Sequence, residues 1–180
     1  MDPRPQNYCS FYVKAPFVEY KVNATSTPDY CYYNLLKTWR RGDRSFNYYD
    51  AHCLTYSLRD GSDFEETVKP LIHERIDRSK NLILILTGFT KETQVMNEEL
   101  DYGINRKGKP VVVVYPELTA AEIFDPDGTV SEKAKKLWDA APVFRDNREK
   151  VFVQHVSFEK AAIHEANNRV DAYLAETTQN

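Results

Sequence analysis

Two adjacent carboxylates, Glu98 and Glu99, are the side chains of this 180-residue chain best placed to do chemistry, and helical geometry gives them different fates. In a helix that turns about 100° per residue, Met96, Leu100, Gly103 and Ile104 form the buried arc, and Glu98 points away from it into solvent. Glu99 lies at the edge of that arc, beside Met96 and Gly103, where a carboxylate is partly desolvated and can face a cleft. The alternative from the same geometry is a boundary glutamate paired with Arg106 or Lys107. Cys53 beside His52 suggests a thiol nucleophile, but neighbours on an extended segment point to opposite sides. His73, His155 and His164 are isolated, the three cysteines Cys9, Cys31 and Cys53 form no CxxC pair, and no metal is expected.

Several nucleotide chemistries are excluded because the cradle each needs is missing. The loop expected after the first strand, residues 14–27, contains no glycine, so neither a GxGxxG nor a GxxxxGK[ST] run is available to wrap phosphates with backbone amides. A phospho-acceptor receiver domain needs paired carboxylates after strand one and an aspartate after strand three. Those places hold Lys14 and Thr87.

The elements that must carry Glu99 follow from periodicity and caps. Tyr8 to Val13 reads as a first strand. Thr27-Pro28 starts a helix that Gly42 ends. Ser45 to Tyr49 reads as a second strand ending at Asp50, and Ser62-Asp63-Phe64-Glu65 matches a capping box opening a second helix. Asn81 to Leu86 and Lys109 to Tyr115 are apolar without alternation, as expected of strands covered on both faces. Between them Thr90 to Lys107 is helical, with Gly108 as its stop. A helix from Ser131 to Ala140, a fifth strand from Val151 to Val156 and a final helix capped by Ser157 complete the pattern. Alternation of this kind predicts a single α/β domain over residues 1–180, a flavodoxin-like, doubly wound parallel sheet of about five strands in the order 2-1-3-4-5. Residues 1–7 and 177–180 are expected to fray.

In such sheets ligands sit beyond the carboxyl ends of the strands. The candidate segments are therefore Ser10 to Phe17, Asp50 to Arg59 and Thr87 to Thr93. The net charge of −3 gives no global field for nucleic acid. No apolar run approaches the roughly 20 residues of a membrane helix, and Met1 to Asn7 carries no export signal. Neither nucleic acid nor membrane is expected as a partner, and the expected location is cytoplasmic.

The stretch from Asp50 to Glu117 resembles a family. NLILILTGFT, EELDYGI and KGKPVVVVYPE, with YCSFYV in the first strand, are similar to the TIR-like domains of bacterial defence systems, the group that includes the TIR protein of Thoeris antiphage operons. The resemblance implies an enzyme that breaks the nicotinamide–ribose bond of NAD, a glycohydrolase or cyclase with NAD as substrate and no other cofactor. Its product is an ADP-ribose-type nucleotide read by a downstream effector protein, with self-association on activation. By spacing, the family's catalytic glutamate falls on Glu99. One departure is that the tryptophan the family often carries four residues earlier is here Val95.

The remaining pocket residues are read from their place at the ends of the expected strands. Phe11 and Tyr12 would stack on a ring or simply pack their strand. Ser10 and Thr87 would bond ribose or carboxamide, unless Thr87 only ends its strand. Asp50 and His52 would orient the ribose, or else be a turn cap and a solvent histidine. Arg59 would meet the pyrophosphate unless it pairs with Asp60, and Phe89 is a further substrate-binding residue. Two readings compete with the NAD-consuming enzyme: a non-catalytic TIR-type interaction module, and a nucleoside deoxyribosyltransferase working through a covalent sugar intermediate.

Overall fold

The computed structural model of the chain describes residues 5–13, 27–53 and 63–178. Four parallel strands form one sheet, β1 Gln6–Ser10, β2 Ser79–Ile85, β3 Val111–Tyr115 and β4 Val153–Ser157, in the order β1-β2-β3-β4. Each neighbouring pair is parallel. β2 and β3 are wholly buried, which is why their sequences show no polar alternation. Alternation survives in what they touch. Leu82, Leu84, Val111, Val113 and Tyr115 face one core with Ile72, Ile76, Met96, Leu100 and Ile104. Ile83, Ile85, Val112 and Val114 face the other with Tyr33, Leu36, Ile163 and Val170.

The helices are α1 Pro28–Gly42, α2 Lys69–Asp77, α3 Gln94–Leu100, α4 Ala120–Ile123, α5 Glu132–Lys135, α6 Pro142–Asn147 and α7 Lys160–Thr178. α1 and α7 cover one face of the sheet while α2, α3, α5 and α6 cover the other. The α/β class and parallel sheet are as the sequence predicts. α1 begins as expected, with the Thr27 hydroxyl accepting from the Tyr30 amide at 3.2 Å and Pro28 at the first helical position.

The expected second strand is the main departure. Ser45 to Tyr49 forms no ladder. It runs beside β1, where order 2-1-3-4-5 requires it, but makes a single bridge, Asn7 to Asp50, with Asn7 N–H donating to the Tyr49 carbonyl at 2.6 Å. Side chains take the backbone groups a strand would use. His164 Nδ1 accepts from the Asn47 amide at 3.0 Å, Asn167 Nδ2 donates to the Asn47 carbonyl at 2.6 Å, and Arg40 donates to the Phe46 carbonyl at 3.0 Å.

Smaller corrections have similar causes. The second helix is capped by Asp63, whose carboxylate accepts from the Glu66 amide at 2.8 Å, and it opens with a π-helical turn, Phe64–Val68, before α2. α3 starts at Gln94 rather than Thr90, because Thr93 is the cap and accepts from the Met96 amide at 3.1 Å. It continues as a π-helical stretch, Asp101–Arg106, which Gly108 ends in the left-handed region at φ +61°. The helix after Ser131 tightens into a 3₁₀ stretch, Lys136–Ala140. Ser157 does not cap α7, since its hydroxyl donates to the Glu159 carboxylate at 3.1 Å instead. Gln6 and Asn7 are strand residues rather than a frayed end, and α7 runs to Thr178. α4 and α6 have no counterpart in the sequence reading. No helix of the described residues is long and apolar enough to cross a membrane.

Candidate functional site

The buried arc of α3 docks on β2, and Gly103 makes the approach close: a Cβ there would come within 2.6 Å of Leu82 Cδ1. This docking carries Glu99 against the carboxyl end of β1. Tyr8 and Ser10 are two positions apart and so share a face of that strand. Their hydroxyls both donate to Glu99, Tyr8 to Oε1 at 2.7 Å and Ser10 to Oε2 at 2.6 Å. Cys9 between them faces the other core, where its Sγ lies 3.3 Å from the Tyr48 hydroxyl.

Glu99 is 7% exposed. Burial pushes its carboxyl up to about 7, against the lowering effect of the Ser10 and Tyr8 bonds and the positive charge of Arg75. Tyr8 is held well above the ordinary phenol range, first by burial and then by the Glu99 charge, so it stays a donor. The alternative pairing of Glu99 with Arg106 or Lys107 does not occur: Arg106 pairs with Asp101 and Lys107 with Asp77. Glu98 is not plain solvent surface either. It lies 2.6 Å from His73 Nε2 and 3.5 Å from Lys69 Nζ, beside a cavity of about 600 Å³ that Phe64, Glu92, Asn97 and Asp101 help to line.

His52 is no solvent histidine. Its ring lies 4.7 Å from that of Tyr8, Nε2 is 2.9 Å from the Cys9 carbonyl and Nδ1 is 3.3 Å from Arg75 Nη1. A carbonyl only accepts and a guanidinium only donates, so His52 is neutral with its proton on Nε2. Burial, which lowers its pKa, agrees. With both nitrogens engaged, His52 supports Tyr8. Asp50 likewise shapes its loop, accepting from the Tyr33 hydroxyl at 2.8 Å and the His52 amide at 3.1 Å.

β1 ends at Ser10, so Phe11 and Tyr12 lie just beyond it. The Phe11 ring stacks on Tyr33 at 4.5 Å and 17°. The Thr87 hydroxyl is committed to Asp29 Oδ1 at 2.6 Å, so it is not a free donor for a sugar. Phe89, in the turn after β2, is 60% exposed. Arg59 and the long loop after β1 lie outside the described residues. Tyr8, Arg75 and Asp29 were missed by sequence reasoning. Tyr8 had a signal in its two-residue spacing from Ser10, whereas Asp29 sits in a helix that the sequence marks only by its Thr27-Pro28 start and Gly42 end, and Arg75 in one marked by its cap. Among the described residues no group of three or more His, Cys, Asp or Glu side chains could hold a metal ion.

The arrangement is one buried acid, poised near neutrality, clasped by two hydroxyls at the carboxyl end of a parallel sheet. In a comparison with known families, the family model described as Thoeris protein ThsB, TIR-like domain, matches residues 8–121, a span that includes Tyr8, Ser10 and Glu99.

Proposed function

The chain belongs to the TIR-like domain family of the Thoeris protein ThsB, a family of antiphage defence, and on that footing we propose that it consumes NAD by cleaving the nicotinamide–ribose bond at Glu99. The observation that carries this reading is the Glu99 carboxyl itself, buried at the end of β1 between Tyr8 and Ser10 and raised to about 7.

The chemistry needs little apparatus. Nicotinamide leaves as a neutral molecule from a pyridinium cation and requires no general acid. As the bond breaks, the ribose gains oxocarbenium character, and a carboxylate beside it stabilises that state more than the substrate. A carboxyl near 7 is half ionised in neutral solution, and an arriving pyridinium cation favours its charged form. Water as acceptor gives ADP-ribose, and a group on the same nucleotide gives a cyclic product. In this reading the nucleotide signals to an effector protein, in the cytoplasm, and self-association accompanies activation.

A second reading is favoured by one specific observation. Both oxygens of Glu99 are already bonded and the residue is almost fully covered, which suits a pin joining α3 to β1 in a non-catalytic interaction module. Incubating the purified protein with NAD and resolving products by mass separates the two, with NAD loss in phage-infected cells as the companion measurement. Glu99→Gln keeps the shape and removes the charge, and it is expected to lower turnover by about 10²–10³-fold. Turnover that stays at the parent's rate after this substitution rejects Glu99 as the catalytic group. A covalent sugar adduct on the protein would favour the deoxyribosyltransferase chemistry.

A further inference from the structure

The rim of the site is tied together by a carboxylate outside its chemistry. Asp29, in the first turn of α1, is fully buried. It accepts from the Thr87 hydroxyl at 2.6 Å, the Thr90 hydroxyl at 2.6 Å and the Tyr12 amide at 3.3 Å. These donors leave the carboxyl ends of β1 and β2, so one side chain fixes both exits against α1. Thr27 closes the same joint, its hydroxyl donating to the Tyr12 carbonyl at 2.6 Å. Burial pushes the Asp29 carboxyl above its ordinary value, and the bonds from Thr87, Thr90 and Tyr12 hold it down. The positive end of the α1 dipole acts in the same sense as those bonds.

The turn after β2 is braced at several further points. The Thr87 amide donates to Thr90 Oγ1 at 2.8 Å, the Phe89 amide to Thr87 Oγ1 at 3.1 Å, and the Gly88 amide to Glu117 Oε2 at 2.8 Å. At the tip of this fixed turn stands Phe89, the most exposed large apolar side chain of the described residues at 60%. Leaving a phenyl ring in water forgoes hydrophobic free energy. A ring held still in advance loses little entropy when a flat partner covers it.

We propose that Asp29 is a positioning residue of this site, and that the joint it closes holds Phe89 as a stacking platform for a planar ring of the substrate. The inference rests on the NAD-consuming reading and adds to it the group that grips the dinucleotide's flat portion. Calorimetric titration with NAD in the Glu99→Gln background measures binding without turnover. Adding Phe89→Ala is expected to weaken binding by roughly three- to tenfold, the range for loss of an aromatic pair, and Phe89→Trp should restore it with quenching of the new indole's fluorescence. Asp29→Asn and the double variant Thr87→Val, Thr90→Val should each weaken binding in the same direction. In the turnover-competent protein they should raise KM more than they lower kcat. Because Phe89 is exposed, its variants fold whether or not the Asp29 variants do. NAD binding as tight with alanine at position 89 as in the background overturns the proposal, as does the absence of NAD binding in that background. If Glu99→Gln turns over at the parent's rate while binding depends on Phe89, the catalytic reading falls and the platform stands.

Discussion

At the scale of single residues, Glu99 trades stability for poise. Its carboxyl is raised from the ordinary 4.5 to about 7 chiefly by burial, so the folded chain binds that proton more tightly than the unfolded chain does. The contribution is therefore fully favourable below pH 4.5 and is lost as pH rises through about 7. The loss is on the order of 3 kcal/mol at pH 8. Glu99→Gln, which cannot ionise and whose amide can still meet the two hydroxyls, is expected to melt at a higher temperature than the parent at pH 8. Near pH 5 the difference should shrink towards zero. Thermal melts of both proteins across that range check it, and equal gaps at the two pH values would show that the acid is not held in its uncharged form.

Between elements, the decisive contact is α3 against β2. Gly103 lets the helix lie close enough for Glu99 to reach β1, since a methyl group there would come within 2.6 Å of Cδ1 and 3.1 Å of Cγ of the fully buried Leu82. Gly103→Ala is expected to destabilise the fold by about 1–3 kcal/mol, measured by denaturant unfolding, and to loosen the Glu99 clasp with it. This docking was legible in the sequence, because the spacing of Met96, Leu100 and Ile104 already set Glu99 at the arc's edge, and so were the two central strands. The segment from Ser45 to Tyr49 reads as a strand because its aromatic residues pack as a strand's would, Phe46 and Tyr48 being buried, while its backbone partners come from α1 and α7. The α7 contacts, over a hundred residues apart in sequence, leave no local pattern. Nor do the partners of Asp29, which depend on how α1 meets the segments that leave β1 and β2.

Across the whole molecule, α7 straps the margin of the sheet. Asn7 Nδ2 donates to Asn81 Oδ1 at 2.7 Å, and the Tyr49 amide donates to Asn7 Oδ1 at 2.7 Å. Asn167 reaches the same cluster from α7 and donates to the Asn47 carbonyl. The buried Lys80 ammonium adds bonds to Asp171 at 2.7 Å and to Asn47 Oδ1 at 3.0 Å. Such polar groups in a covered place hold only while every partner is present. Asn167→Ala should cost about 1–3 kcal/mol by orphaning the Asn47 carbonyl, and should speed amide hydrogen exchange at Asn7 and Tyr49 more than in β3. Uniform exchange changes would mean that α7 does not act on that margin in particular.

The clasp on Glu99 spans 91 positions on the Tyr8 side and 89 on the Ser10 side. A nascent chain thus displays both hydroxyls long before the ribosome releases their acid. A polypeptide cut short ahead of α3 holds half a latch, two hydroxyls with no carboxyl to close on.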